Sequence, residues 1–105
     1  MFEIVAHEKI GDELRGFSAD IRGRMFRLIE RLQLEGETMR LPHSRVISGG
    51  LFELRVGGKD ITRCLYAFAM GKKIYLLHAF VKKTQQTPAA AISTARQRLR
   101  ELKNG

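Results

Sequence analysis

Arg55, Arg63 and the pair Lys82–Lys83 are the residues of this sequence that packing alone explains least. Arg63 stands inside the otherwise apolar run ITRCLYAFAM, and the doubled lysine closes the run IYLLHAFV. A guanidinium in such a strand must either pair with an acid or face a bound anion, because desolvating it alone is costly. Glu53 and Asp60 are the acids that could pair with it, and such pairs contribute only about 0–1 kcal/mol when exposed. Arg45, just upstream, adds one more cation to the set.

Other chemistries have less support. Gly71–Lys72–Lys73 is a turn rather than a phosphate loop, since no Gly-rich run leads into Lys-Ser or Lys-Thr. His7, His43 and His78 lack a helical metal-ligand spacing, and no Ser/His/Asp grouping has a local signature, so neither a metal nor a cofactor is expected. Cys64 reads as a small core residue. With one cysteine in the chain, an intramolecular disulfide is excluded.

The cations must be carried by strands. LFELRV (51–56) alternates, with Phe52, Leu54 and Val56 on one face and Glu53 and Arg55 on the other. ITRCLYAFAM (61–70) and IYLLHAFVKK (74–83) follow across Gly-containing turns, which gives a three-strand antiparallel meander. Neighbouring strands lie about 4.8 Å apart, so Arg55, Arg63 and one lysine can converge on one face. Lys82 and Lys83 point to opposite faces, and the alternation alone does not choose between them.

Upstream, FEIVA (2–6) is a short strand. Ile10, Leu14 and Phe17 mark one helix face, and Ile21, Met25, Leu28, Ile29 and Leu32 a longer one, with Arg22, Arg24, Arg27 and Arg31 off that stripe. Ser18 to Asp20 supply caps and Gly36 a stop, so an αα-hairpin is expected. Residues 36–50 read as loop, punctuated by Pro42 and Gly49–Gly50. A last helix starts at Thr87–Pro88, with Ile92, Ala95, Leu99 and Leu102 as its buried stripe and Arg96, Arg100 and Lys103 on another face. The class is α+β: a small twisted antiparallel sheet covered by an N-terminal αα-hairpin and a C-terminal helix.

The totals fit one domain over residues 1–105, with 44% hydrophobic residues and a net charge of +8. The charge is uneven. Residues 1–36 hold 6 basic and 7 acidic side chains, whereas 37–83 hold 9 and 3. Such asymmetry points to a polyanionic partner, nucleic acid before anionic lipid. No apolar run is long enough for a membrane span, and MFEIVAHEKI lacks a secretory pattern, so a cytoplasmic protein with no membrane partner is expected.

LFELRV, ITRCLYAF, IYLLHAFVKKTQQTP and the trailing AISTARQRLREL together resemble the RelE/ParE superfamily of bacterial toxins. Within it they are most similar to the HigB or phage-Gp49-like branch of type II toxin–antitoxin systems. The likeness spans roughly residues 40–103 and implies a RelE-like fold. It also implies a ribosome-dependent mRNA endoribonuclease that works without a metal, acts with the small ribosomal subunit and mRNA, and is neutralised by an antitoxin carrying a helix-turn-helix domain. Carried over by position, Arg55, Arg63, Lys82 and Lys83 match the catalytic cations. Arg45, Lys72, Lys73, Arg96 and Arg100 become contacts to RNA or ribosome. The tyrosine that RelE has near its C-terminus is missing from TPAAAIS, so the proton-transfer groups do not carry over.

The implied chemistry suits these residues. In metal-free RNA cleavage a ribose 2′-hydroxyl attacks the adjacent phosphate, and arginines stabilise the charge that builds there. A lysine crowded by arginines has a lowered pKa and can act as base. His43, His78, Glu53 and Tyr66 are the other candidates, although His78, Tyr66 and Phe68 read first as core and Glu53 as a residue that orients an arginine. The alternatives to a nuclease are a ParE-like inhibitor of DNA gyrase and a non-catalytic nucleic-acid-binding module.

Overall fold

The computed structural model describes residues 1–58, 61–82 and 86–104. The chain runs β1 (Glu3–Ala6), α1 (Ile10–Arg15), α2 (Ala19–Glu35), a 3-10 turn (Gly36–Thr38), β2 (Ser44–Ser48), β3 (Leu51–Val56), β4 (Ile61–Ala69), β5 (Lys73–Lys82) and α3 (Ala89–Asn104). One five-stranded sheet forms in the order β1-β5-β4-β3-β2. The α+β class and the antiparallel β3–β4–β5 meander are as expected.

Two features differ from expectation. Ser44–Ser48, taken as loop, forms an edge strand antiparallel to β3, with a register shift between Val46 and Ser48. The strand β1 pairs with β5 in parallel, so the sheet is mixed rather than wholly antiparallel. Gly49 and Gly50 close the β2–β3 turn with φ of +52° and +83°, a conformation that glycine adopts at little cost.

The long helix forms for the reasons its sequence contains. Ser18 Oγ accepts from the Ile21 N–H at 3.3 Å and caps the N-terminus. The stripe Ile21, Met25, Leu28, Ile29 and Leu32 is buried. Gly36 ends the helix at φ +55°, and the Phe2 ring occupies the space a side chain there would need.

Both faces of the sheet are covered, not one. Leu54, Val56, Cys64, Tyr66, Ile74 and Leu76 pack with α1 and α2. Leu51, Leu65, Ala67 and Leu77 pack with Ala91 and Ala95 of α3. The second face of β3 therefore lies on the α3 side rather than in solvent, and Glu53 is fully buried.

One carboxylate ties these layers together. The last backbone bond from the β1 side to β5 is the His7 N–H to the Leu76 carbonyl at 2.9 Å, and further along β5 Glu13 of α1 takes over: its Oε1 accepts from the Ala79 N–H at 3.0 Å. Its Oε2 contacts His78 Nδ1 at 2.9 Å and accepts from Arg98 Nη1 of α3 at 2.8 Å. Glu13→Ala would leave a strand N–H and a half-buried guanidinium without this acceptor. The expected cost is about 1–3 kcal/mol, read from the urea midpoint.

Candidate functional site

Strand register decides which cations meet. Arg55 lies directly opposite Arg63 across β3–β4, and Arg63 lies opposite Phe80 across β4–β5. Lys82 is two residues beyond Phe80, so it shares that face and sits diagonal to Arg63. Arg45 pairs with Glu53 across β2–β3 and joins from the edge. Lys83 and Asp60 lie outside the described residues.

The cluster is built around one acid. Glu53 Oε1 is 3.2 Å from Arg45 Nη2 and 3.6 Å from Arg63 Nε, and Glu53 Oε2 accepts from the Thr87 hydroxyl at 2.7 Å. Arg63 Nη1 donates to the carbonyls of Thr62 at 2.9 Å and Val56 at 3.3 Å. Arg63 and Lys82 are buried, at 5% and 4% exposure. Arg45 and Arg63 thus share one carboxylate, and among the described residues Arg55 and Lys82 lie on the same sheet face. Arg45 Nε, Arg63 Nε and Glu53 Oε1 are buried and lack a hydrogen-bond partner among the described residues. The contact with Thr87 brings the start of α3, with its partial positive charge, beside the cluster.

This arrangement works against stability. Like charges directly opposite on adjacent strands repel, and a buried donor without an acceptor is a cost. Burial lowers the pKa of Arg63, Arg55 and Arg45 push the same way, and Glu53 opposes them. Lys82 is likewise lowered from 10.5, first by burial and then by Arg63, Arg45 and Arg55, against the pull of Glu53.

Lys82 makes the site sensitive to alkaline pH. Between its depressed folded pKa and the ordinary lysine value, the unfolded chain holds a proton that the folded chain has released, so stability rises with pH across that window. Anion affinity moves the other way, because the charged lysine is the better anion ligand. Titrating inorganic phosphate against alkaline pH should show affinity falling through a value below 10.5. In Lys82→Met that step should be absent.

The other candidates lie elsewhere. Lys72 and Lys73 are at the far end of the β4–β5 hairpin, roughly 20 Å from Arg63 at ~3.3 Å per residue. Lys72 Nζ stands 5.8 Å from the centre of the Phe2 ring. Arg96 donates to the carbonyls of Ser48 and Gly49, and Arg100 is exposed on α3. His78 is held by Glu13 and stacks on Phe80 at 4.9 Å. Tyr66 is buried, shares a 2.6 Å hydrogen bond with Ser44 Oγ and stacks on Phe52, which fits a core role. Burial pushes the Cys64 thiol up to about 12, which leaves it inert as a nucleophile.

A second cationic feature goes beyond what the sequence pattern suggests. A cleft of about 580 Å³ opens between α2 and the end of β3, lined by Arg24, Arg27 and Arg31 on one wall and by His43, Arg55 and Arg63 on the other. The α2 arginines follow the spacing i, i+3, i+7, so their signal is present as a helical stripe. It reads as a solvated face until β3 is packed beside it.

Comparison with known proteins adds the context. A chain of the toxin–antitoxin complex RelBE2 from Mycobacterium tuberculosis matches with a TM-score of 0.60 at 15% identity, covering 77% of this chain and 98% of that one. That likeness is one of fold, and the fold is RelE-like. No curated protein matches the sequence. The family described as "Phage derived protein Gp49-like (DUF891)" matches residues 12–100, nearly the whole chain that carries the cationic face. On that match the chain belongs to the Gp49-like family of phage-derived proteins.

Proposed function

We propose that this chain is the toxin of a type II toxin–antitoxin system, and that it acts as a ribosome-dependent endoribonuclease on mRNA. The observation that carries the reading is the meeting of Arg55, Arg63 and Lys82 on one sheet face, with Arg63 held beside the buried Glu53 carboxylate. Cations gathered so closely on one face, outnumbering among the described residues the carboxylate they share, suit the binding of an anion.

In this reading a scissile phosphate lies against Arg55 and Arg63. Their guanidiniums take the charge that builds on the phosphoryl oxygens as the 2′-oxygen, losing its proton, bonds to phosphorus. The P–O5′ bond breaks, leaving a 2′,3′-cyclic phosphate and a 5′-hydroxyl protonated from water. Lys82, with its lowered pKa, supplies the base or a further charge. Glu53 orients Arg45 and Arg63 and does not touch the substrate. No step requires a metal. The ribosome holds the mRNA in line, so the protein contributes electrostatics and one proton transfer. The proposed setting is the cytoplasm, with the small ribosomal subunit, mRNA and an antitoxin bearing a helix-turn-helix domain as partners.

The test is a translating extract. The chain should produce truncated mRNA there, leave naked RNA nearly intact and leave gyrase supercoiling unchanged, and Arg63→Ala should lose the truncation. Stalled supercoiling with full-length mRNA would instead identify a gyrase inhibitor. Salt-sensitive RNA binding with no truncation would identify a binding module.

A further inference from the structure

The cleft between α2 and the end of β3 adjoins the sheet-face cluster, and the two are joined. Arg55 and Arg63 belong to both. Along α2, Arg24, Arg27 and Arg31 span roughly 10 Å at ~1.5 Å rise per residue. Arg24 is only loosely tied to Asp20, at 3.9 Å, and Arg31 is bonded to Glu35 at 2.9 Å. Arg27 has no carboxylate partner among the described residues. No Asp or Glu is among the described residues lining the cleft. Its floor, with Leu28, Pro42 and Val56, is apolar, and His43 adds a ring against which a base can stack.

We infer that this cleft binds the phosphodiester backbone of single-stranded RNA, as the continuation of the strand whose phosphate lies against Arg55 and Arg63. The inference rests on the nuclease reading and extends it from one phosphate to a path. A bound RNA must leave the sheet face, and the adjoining cationic surface with an apolar floor is this one. Guanidiniums with few carboxylates near them, set on one rigid helix face, can each fork to a phosphate oxygen. An acidic protein segment could also be drawn to arginines. The shared Arg55–Arg63 wall favours RNA, because a polymer already held at the site reaches the cleft without a second binding event.

The probe is a short single-stranded 2′-O-methyl RNA, which cannot be cut because its attacking hydroxyl is capped. Its affinity is followed by fluorescence anisotropy between about 50 and 200 mM salt. For single strands the slope of log affinity against log salt changes by ~0.7 for each phosphate that the protein no longer neutralises. Arg27→Ala should make the slope shallower by that amount, and the triple variant Arg24→Ala/Arg27→Ala/Arg31→Ala by about 2, with the unfolding midpoint of Arg27→Ala unchanged. Lys9→Ala, at an exposed cation outside the cleft lining, should leave the slope alone.

An unchanged slope in both cleft variants overturns the inference, even if the wild type cleaves mRNA in the extract. So does a triple variant that keeps its RNA slope and loses binding to the antitoxin, since the cleft would then belong to an acidic protein. If the slopes fall as expected and the wild type cuts nothing, the path stands and the nuclease reading fails.

Discussion

Glu53→Gln is expected to cost about 3–5 kcal/mol of folding stability, the largest effect of any single replacement in the sheet. Glu53 is fully buried and is the acid that Arg45 and Arg63 approach at 3.2 and 3.6 Å. Its charge also opposes the lowering of the Arg63 and Lys82 pKa values. Glutamine keeps the size and the Thr87 contact but removes the negative charge that Arg45 and Arg63 share. The urea midpoint should drop at unchanged slope. Adding Arg63→Met should recover part of the loss, because one orphaned charge goes with it, and the double-mutant cycle measures that coupling. Inorganic sulfate should stabilise Glu53→Gln by about 2.7 kcal/mol at a hundred times its dissociation constant, and the wild type by less at the same concentration. A variant as stable as the wild type without added anion would show that the cations do not depend on this carboxylate.

The same residue marks where sequence reasoning stops. Alternation in LFELRV places Glu53 and Arg55 opposite Phe52, Leu54 and Val56, and that placement is the one found. What alternation cannot supply is the roof over the second face. That depends on α3, whose small residues Ala91 and Ala95 let it lie close to Leu65 and Leu77. The residues with local rules were legible: the α2 stripe, the Ser18 cap, the Gly36 stop and the three meander strands. The strand β2 was not, because SRVIS is short, sits between Pro42 and Gly49, and exposes Val46 at 63%. Its pairing with β3 is what brings Arg45 to Glu53. Likewise nothing local announces that Glu13 will meet Arg98, 85 residues further along the chain. The choice between Lys82 and Lys83 was a matter of parity. Register with Ile61 puts Lys82 on the face of Arg63, while Lys83 lies outside the described residues.

Arg63→Ala should lower the rate of mRNA cleavage by about 100- to 1,000-fold, the usual loss when one preorganised donor to a developing oxyanion is removed. Its position explains why it outranks its neighbours. Arg63 lies between β3 and β5, opposite Arg55 on one side and Phe80 on the other, with Lys82 diagonal to it. Burial at 5% exposure strengthens whatever charge it presents. Losing it also frees the carbonyls of Thr62 and Val56, so a stability cost of about 1–3 kcal/mol is expected and is read separately by urea unfolding. Arg63→Lys distinguishes charge from geometry. Lysine keeps the charge and forfeits the planar fork, so its activity should fall between wild type and Arg63→Ala if bidentate phosphate contact matters. Equal activity in Arg63→Lys and wild type would reduce the residue to a point charge. Full activity in a folded Arg63→Ala would mean that the scissile phosphate does not lie against Arg63, and the sheet-face site proposed here would fail.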